Sequence, residues 1–112
     1  MTQNDIDKAC GILHNRIPLL LKEHVKKIIM YGSCARGDFD DDSDIDIAIL
    51  TDIGRIEAKK YDSVLMDTVT DIAMETDAIV EYICIPYQEF EEKKNWYGYF
   101  KNIEKEGTLI YG

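Results

Sequence analysis

The segment MYGSCARGDFDDDSDIDIAIL, residues 30 to 50, contains the side chains best suited to chemistry in this chain. Gly32 and Ser33 follow an apolar run, and ten residues separate them from Asp44, which with Asp46 opens a second apolar run. On a strand, residues two positions apart present their side chains on the same face. Two adjacent carboxylates repel each other unless a cation lies between them, and a hard divalent ion with oxygen ligands fits best. The spacing therefore predicts a metal-binding pair.

The residues between the two apolar runs predict a phosphate-binding turn. A turn that follows a strand and opens a short helix presents unpaired backbone N–H groups. Gly32 lets the backbone approach a ligand closely, and Ser33 adds a hydroxyl donor. Arg36 either meets a triphosphate oxygen or ties the acidic loop together through Asp38 or Asp44. A phosphate turn beside a Mg²⁺ clamp is suited to attack on a nucleoside triphosphate.

Simpler explanations account for only part of this acidic segment. The aspartates at positions 40 to 42 lie in the connection and are expected to face water. Asp44 and Asp46 instead alternate with apolar residues, as on a strand. A calcium-binding EF-hand loop counted from Asp38 would need glycine sixth and glutamate twelfth, where the chain has Ser43 and Ile49. Calcium-loop binding is therefore excluded.

The whole constellation resembles the signature of the DNA polymerase β-like nucleotidyltransferase superfamily, in particular its minimal nucleotidyltransferase branch. The resemblance is carried by Gly32-Ser33, the ten-residue spacing, the Asp44-Ile45-Asp46 pair and Arg36-Gly37 between them. It implies an α/β (α+β) fold in which helices flank a small mixed β-sheet. It also implies two Mg²⁺ ions, ATP as nucleotide substrate, and nucleotidyl transfer to a hydroxyl group.

The resemblance also implies a third acidic residue on the strand beside the Asp-x-Asp strand. Glu81 and Asp77 both belong to the next predicted strand region, and only one of them can reach the site. Glu81 is the expected metal ligand and proton acceptor, because it interrupts an apolar run where an acid is costly unless it faces metal or water. The alternative is that Glu81 points to solvent from an ordinary sheet face.

Minimal nucleotidyltransferases of this kind often accompany a small helical HEPN protein. In such pairs the HEPN protein is a ribonuclease toxin, and the nucleotidyltransferase silences it by adding AMP to a tyrosine. The resemblance thus implies an antitoxin that adenylylates a HEPN partner. Two alternatives stay open: a non-catalytic toxin-binding module, and an enzyme that acts on a small hydroxyl compound such as an aminoglycoside.

Length and composition limit the domain organisation, the classes of partner and the compartment that are expected for this chain. The chain has 112 residues, enough for a single nucleotidyltransferase domain, 1–112. Its acceptor site is expected either to be shallow or to be completed by another chain in a homo- or hetero-oligomer. Its net charge of −9 makes nucleic acid an unlikely partner. Three dispersed cysteines predict neither a disulfide framework nor a zinc site. The sequence shows no secretory signal and no membrane-spanning run, so a reducing cytoplasm is the expected compartment.

The elements that position these residues follow from apolar periodicity. Strands are expected at residues 25–31, 45–50 and 78–85, with residues 109–111 as an edge strand or a tail. Helices are expected at residues 4 to about 15, 55 to 75, 87 to 92 and 95 to 105. Pro18 is expected to break the first helix or to start a second, short one.

Overall fold

The computed structural model describes all 112 residues as a four-stranded sheet with helices on both faces. The strands are Val25–Tyr31 (β1), Ile45–Thr51 (β2), Val80–Pro86 (β3) and Thr108–Tyr111 (β4). The helices are Gln3–Leu20 (α1), Ser33–Arg36 (α2), Arg55–Ala58 (α3), Asp62–Thr76 (α4), Tyr87–Lys93 (α5) and Gly98–Glu106 (α6). None of these helices combines the length and apolar content that crossing a bilayer requires.

The sheet is mixed, with strand order β3-β2-β1-β4. β1 runs antiparallel to both β2 and β4, whereas β2 and β3 run parallel. A parallel pair needs a long crossover, and α3 and α4 supply it between β2 and β3. The predicted architecture, a small mixed sheet flanked by helices, is confirmed.

The apolar side chains of the central strands divide into two cores, one on each face of the sheet. The larger core lies against α1 and α4, and its strand residues are Val25, Ile28, Met30, Ile45, Ile47, Ile49 and Val80. The smaller core lies against α5 and α6 and comprises Ile29, Ala48, Leu50, Ile85, Phe90, Phe100 and Ile103. Side chains alternate along a strand, so position 46 of β2 shares its face with Ala48 and Leu50.

Helix α1 extends past the end predicted from sequence. It continues through Pro18 to Leu20, whereas a break at Pro18 was expected. Proline removes one intrahelical hydrogen bond, but here the loss falls in the last turn of the helix. Ile17 and Leu21, on either side of it, are both buried, and the Leu21 N–H still donates to the Ile17 carbonyl at 3.0 Å. Burial of this last turn outweighs the missing bond.

The single helix predicted for residues 55 to 75 is divided in two. A 3₁₀ turn at Lys59–Tyr61 separates α3 from α4. Both segments contact β3, and α4 also packs on α1. Short 3₁₀ turns of this kind commonly connect helical segments.

The remaining boundaries differ by a few residues. β3 begins at Val80 rather than at position 78, and α6 begins at Gly98 rather than at position 95. The C-terminal segment, predicted to be an edge strand or a tail, is the edge strand β4, where Leu109 pairs with Ile29 of β1.

Two glycines offer a matched test of this packing. A Cβ on Gly107, between α6 and β4, would lie 2.4 Å from the Ile103 carbonyl oxygen and 2.4 Å from Ile29 Cγ2, whereas a Cβ on Gly11, within α1, would meet nothing within 4 Å. Gly107→Ala should lower the free energy of unfolding by about 1–3 kcal/mol through overpacking. Gly11→Ala should raise it by about 0.5–1 kcal/mol, because alanine favours the helix. Urea unfolding measures both, and shifts of the same sign would contradict this packing.

Candidate active site

Three side chains from neighbouring strands form a row across the sheet. In the backbone register, Asp46 of β2 is level with Tyr31 of β1 and with Glu81 of β3. Residues level with one another on adjacent strands present their side chains on the same face. Asp46 is half-buried and Glu81 is exposed. The row therefore lies on the face of the sheet that α5 and α6 cover in part.

Of the two candidates for a third carboxylate, only Glu81 lies in this row. Asp77 precedes β3 and ends α4 in a left-handed conformation with φ 62°. It stands four residues before Glu81, outside the strand, so the register brings Glu81 and not Asp77 level with Asp46.

Asp44 lies one residue before β2 and has the same parity as Asp46. Its backbone carbonyl accepts a hydrogen bond from the Cys34 thiol at 3.4 Å. Cys34 is buried, and burial is the main cause of the raised pKa of its thiol. This cysteine thus behaves as a packing residue that ties α2 to the acidic segment, rather than as a nucleophile.

The carboxylates perturb one another. The negative charge of Asp44, a side-chain hydrogen bond with Asp44 and the charge of Asp46 together raise the pKa of Glu81. Partial burial, followed by the charge of Asp44, raises the pKa of Asp46. Each shift means that the ionised form is disfavoured in the folded chain. The three acids therefore form one electrostatic unit that a nearby cation would stabilise.

The turn after β1 lies directly against Asp46, one of these three acids. Gly32 has φ 76°, a conformation that side chains rarely adopt. A Cβ at this position would lie 2.7 Å from Asp46 Oδ2. Ser33 begins α2, and Gly37 ends that helix in the left-handed conformation with φ 85°. The turn predicted to bind phosphate is thus in contact with the acid predicted to bind metal.

Arg36 makes two ion pairs in the structure. Its Nε donates to Asp38 at 3.2 Å, and its Nη1 donates to Glu106 at 3.1 Å. Of the structural roles considered from sequence, the tie to Asp38 is formed. Glu106 was not foreseen, because it lies at the end of α6, seventy residues away along the chain.

The row also borders a cavity of about 330 Å³. Its lining residues are Tyr31, Asp46, Glu81, Tyr82, Ile83 and Tyr99. The hydroxyl groups of Tyr31 and Tyr99 form a hydrogen bond. Sequence reasoning missed both tyrosines. Tyr31 directly precedes Gly32, and this position next to the turn could have identified it as a site residue. Nothing in the sequence around Tyr99 connects that tyrosine to the site.

The donor chemistry of Asp44, Asp46 and Glu81 fits a hard divalent cation. All three side chains offer carboxylate oxygens, the ligands that Mg²⁺ prefers, and their mutual repulsion would fall on binding it. No three acidic, histidine or cysteine side chains converge around a common point in a metal-binding arrangement. The close approach of Gly32 to Asp46 leaves no room for a side chain between the turn and the acid.

Comparison with known families agrees with this geometry. The family profile described as "Nucleotidyltransferase domain" matches residues 15–111, most of the chain. The chain belongs to this nucleotidyltransferase family. The matched residues include the Gly32-Ser33 turn, the acidic segment and β3. The protein is accordingly a nucleotidyltransferase.

Two proteins of Methanocaldococcus jannaschii are similar in sequence. The first, named "Putative protein adenylyltransferase MJ0604", is 31% identical over 105 residues, covering 94% of this chain and 97% of the relative. The second, "Putative protein adenylyltransferase MJ0141", is 47% identical over 34 residues, covering 30% of this chain and 34% of the relative.

Two solved structures share the fold at low sequence identity. One, described as the crystal structure of "the toxin-antitoxin with AMP-PNP", matches with a TM-score of 0.53 and 20% identity, over 100% of this chain and 74% of that one. The other, described as the crystal structure of "a putative nucleotidyltransferase from Sulfolobus solfataricus", matches with a TM-score of 0.51 and 19% identity, over 95% of this chain and 82% of that one.

Alanine substitutions at Gly32 and Gly37 should distinguish the effect of backbone strain on activity from the effect of displacing Asp46. Gly32→Ala forces a Cβ onto Asp46 Oδ2, and displacing a reactive group by about 1 Å lowers rates roughly a hundredfold. Gly37→Ala imposes a similar positive-φ strain, of about 1–2 kcal/mol, but its Cβ meets nothing within 4 Å. Nucleotidyl transfer from labelled ATP should therefore fall far more in the first variant. Equal losses in both would count against the contact between Gly32 and Asp46.

Asp46→Asn should alter the pH dependence of stability. The folded-state pKa of Asp46 is raised above its ordinary value of 3.8, so the folded chain holds this proton more tightly than the unfolded chain does. Ionised Asp46 therefore destabilises the fold as pH rises above that value, and the destabilisation is absent well below it. Without divalent metal at neutral pH, Asp46→Asn should melt at a higher temperature than wild type, and the gap should close on acidification.

Thermal melts in EDTA from about pH 3 to pH 7 measure this difference. Asp42→Asn removes an exposed charge from the neighbouring loop and serves as the control. A gap that widens on acidification would show that repulsion does not set the stability of this site.

Proposed function

We propose that this nucleotidyltransferase moves AMP from ATP, with Mg²⁺, to a hydroxyl group of a partner protein and thereby acts as an antitoxin. The proposed acceptor is a tyrosine of a HEPN ribonuclease toxin. The observation that carries the chemical part of the proposal is the row in which Asp46 stands level with Glu81 and in contact with the Gly32 turn.

Each part of the site takes one role in this proposal. The backbone of Gly32 and the hydroxyl of Ser33 bind the β- and γ-phosphates of ATP. Asp44 and Asp46 would hold one metal ion, and Glu81 would complete a second metal position. Bound Mg²⁺ supplies neutralisation of phosphate charge and of the charge that develops on the leaving group.

The reaction is an in-line substitution at the α-phosphorus. The acceptor oxygen forms a bond to the α-phosphorus, and the bond from that phosphorus to the bridging oxygen of the β-phosphate breaks. Pyrophosphate leaves with the electron pair. Glu81, which is level with Asp46 in the sheet, takes the hydroxyl proton as the general base. Most of the acceleration would come from orientation of the two reactants and from charge neutralisation.

The acceptor assignment rests on support of a different kind. The name of the relative that aligns over 97% of its length is that of a protein adenylyltransferase, which favours a protein acceptor over a small compound. The structural neighbour described as a toxin–antitoxin with AMP-PNP favours a toxin partner and an adenine nucleotide. The HEPN identity and the tyrosine follow from the resemblance of the Gly-Ser and Asp-x-Asp motif.

Intact-mass measurement of the protein encoded beside this chain, which the proposal expects to be a HEPN toxin, tests the proposal. After incubation with this chain, ATP and Mg²⁺, the toxin should gain one AMP or a small multiple, and EDTA should prevent the gain. Asp44→Asn with Asp46→Asn should slow transfer on the order of a thousandfold, the scale of losing preorganised electrostatic stabilisation. Asp41→Asn with Asp42→Asn removes the same charge from the exposed loop and should leave transfer unchanged.

Other outcomes would redirect the proposal. A stable complex with unmodified toxin, also formed by the Asp44/Asp46 double variant, would support a toxin-binding module without chemistry. Nucleotidyl transfer to an aminoglycoside in the absence of any partner protein would support a small-molecule enzyme.

A further inference from the structure

The cavity beside the acidic row has a composition suited to a phenol. One side carries the carboxylates of Asp46 and Glu81, and the rest is formed by Ile83 and tyrosine side chains. A ring can pack on this apolar wall while its hydroxyl points at the acids. The chain itself already places tyrosine hydroxyls there.

Tyr99 is held in this cavity by contacts at both ends of α6. At the start of the helix, the Tyr99 hydroxyl is hydrogen-bonded to that of Tyr31, and the two rings meet edge to face with centroids 5.9 Å apart. The next residue, Phe100, is buried in the smaller core. At the end of the helix, Glu106 pairs with Arg36 of the turn helix α2. Helix α6 therefore contacts both this cavity and the turn that is proposed to bind the nucleotide.

Of the three tyrosines that line the cavity, Tyr99 is the one free to react. The Tyr82 hydroxyl donates to Asp62 at 3.0 Å and is engaged there. Tyr31 lies within the sheet, paired through its backbone with Asp46, and is partly buried. Tyr99 is 43% exposed and lies in the first turn of a surface helix, with only the Tyr31 hydroxyl as its hydrogen-bond partner.

We propose that Tyr99 takes the acceptor's place when no partner protein fills the cavity, so that the enzyme adenylylates its own Tyr99. This inference rests on the proposed function, because it uses the same ATP and the same carboxylates. The Tyr99 Oη forms a bond to the α-phosphorus, and the bond between that phosphorus and the oxygen bridging to the β-phosphate breaks. Pyrophosphate leaves with the electron pair, and the phenolic proton passes to Glu81 and then to water.

Self-modification would have a consequence for the site. An AMP group on Tyr99 would occupy the cavity that an incoming tyrosine needs and would replace the Tyr31–Tyr99 hydrogen bond. The modified chain would therefore be a slower adenylyltransferase toward its partner than the unmodified chain.

Mass spectrometry of the full chain incubated alone with ATP and Mg²⁺ tests this inference. The chain should gain one AMP, and peptide mapping should place it on Tyr99. The fraction modified per unit time should not depend on protein concentration, since the step occurs within one molecule. Tyr99→Phe should gain none, whereas Tyr97→Phe, the matched change at a tyrosine that is 45% exposed and does not line the cavity, should be modified like wild type.

The outcomes separate this inference from the proposed function. AMP on the toxin with none on this chain would overturn self-modification and leave the proposed function intact. AMP on Tyr31 or on any residue other than Tyr99 would overturn the assignment. AMP on neither protein would overturn both. Mapping of the wild-type chain decides the question even if Tyr99→Phe fails to fold, which circular dichroism and the melting temperature of that variant would reveal.

Discussion

The mutual repulsion of three carboxylates, Asp44, Asp46 and Glu81, is the constraint on which the rest of this structure depends. Asp44 and Asp46 raise the pKa of Glu81, and Asp44 adds to the effect of burial on Asp46. Such a cluster disfavours its own ionised form. It persists because the strands carrying it are anchored by apolar side chains on both faces. The fold therefore holds a charge arrangement that a nearby cation would stabilise.

Burial of β2 fixes the strand register on which the position of Asp46 depends. Six of its seven residues are buried, and Asp46 is the exception. A slip of one residue in the pairing of β2 would turn Asp46 toward the larger core and bring Ile45 or Ile47 onto the site face. The cost of burying a carboxylate in that core is high. The same apolar residues that stabilise the sheet thus select the register that aligns Asp46 with Glu81 and with Tyr31.

Helix α6 gives this small site a second boundary. Through Tyr99 it contacts the last residue of β1, and through Glu106 it contacts Arg36 in the turn that follows. Its middle is held by Ile103 in the smaller core. A nucleotide that drew Arg36 away from Glu106 and an acceptor that displaced Tyr99 from Tyr31 would act on the same helix. Both halves of the site therefore contact the same helix.

Local pattern in the sequence was sufficient for the elements nearest the chemistry. The apolar runs predicted β1 and β2, and Gly32 with its distance to Asp44 and Asp46 indicated a turn beside acids, because these residues are neighbours along the chain. The same local reasoning was wrong at Pro18, where burial of Ile17 and Leu21 outweighs a lost hydrogen bond.

Contacts between distant parts of the chain were decided only by the tertiary structure. The choice of Glu81 over Asp77 depends on the parallel register of β3 against β2, which no local signal specifies. The partner of Arg36 and the place of Tyr99 depend on where α6 packs across the sheet. Sequence by itself determined the family, the fold class and the residues suited to chemistry. Packing over long separations decided which of them meet, because strand register and helix docking are set by burial of the whole core.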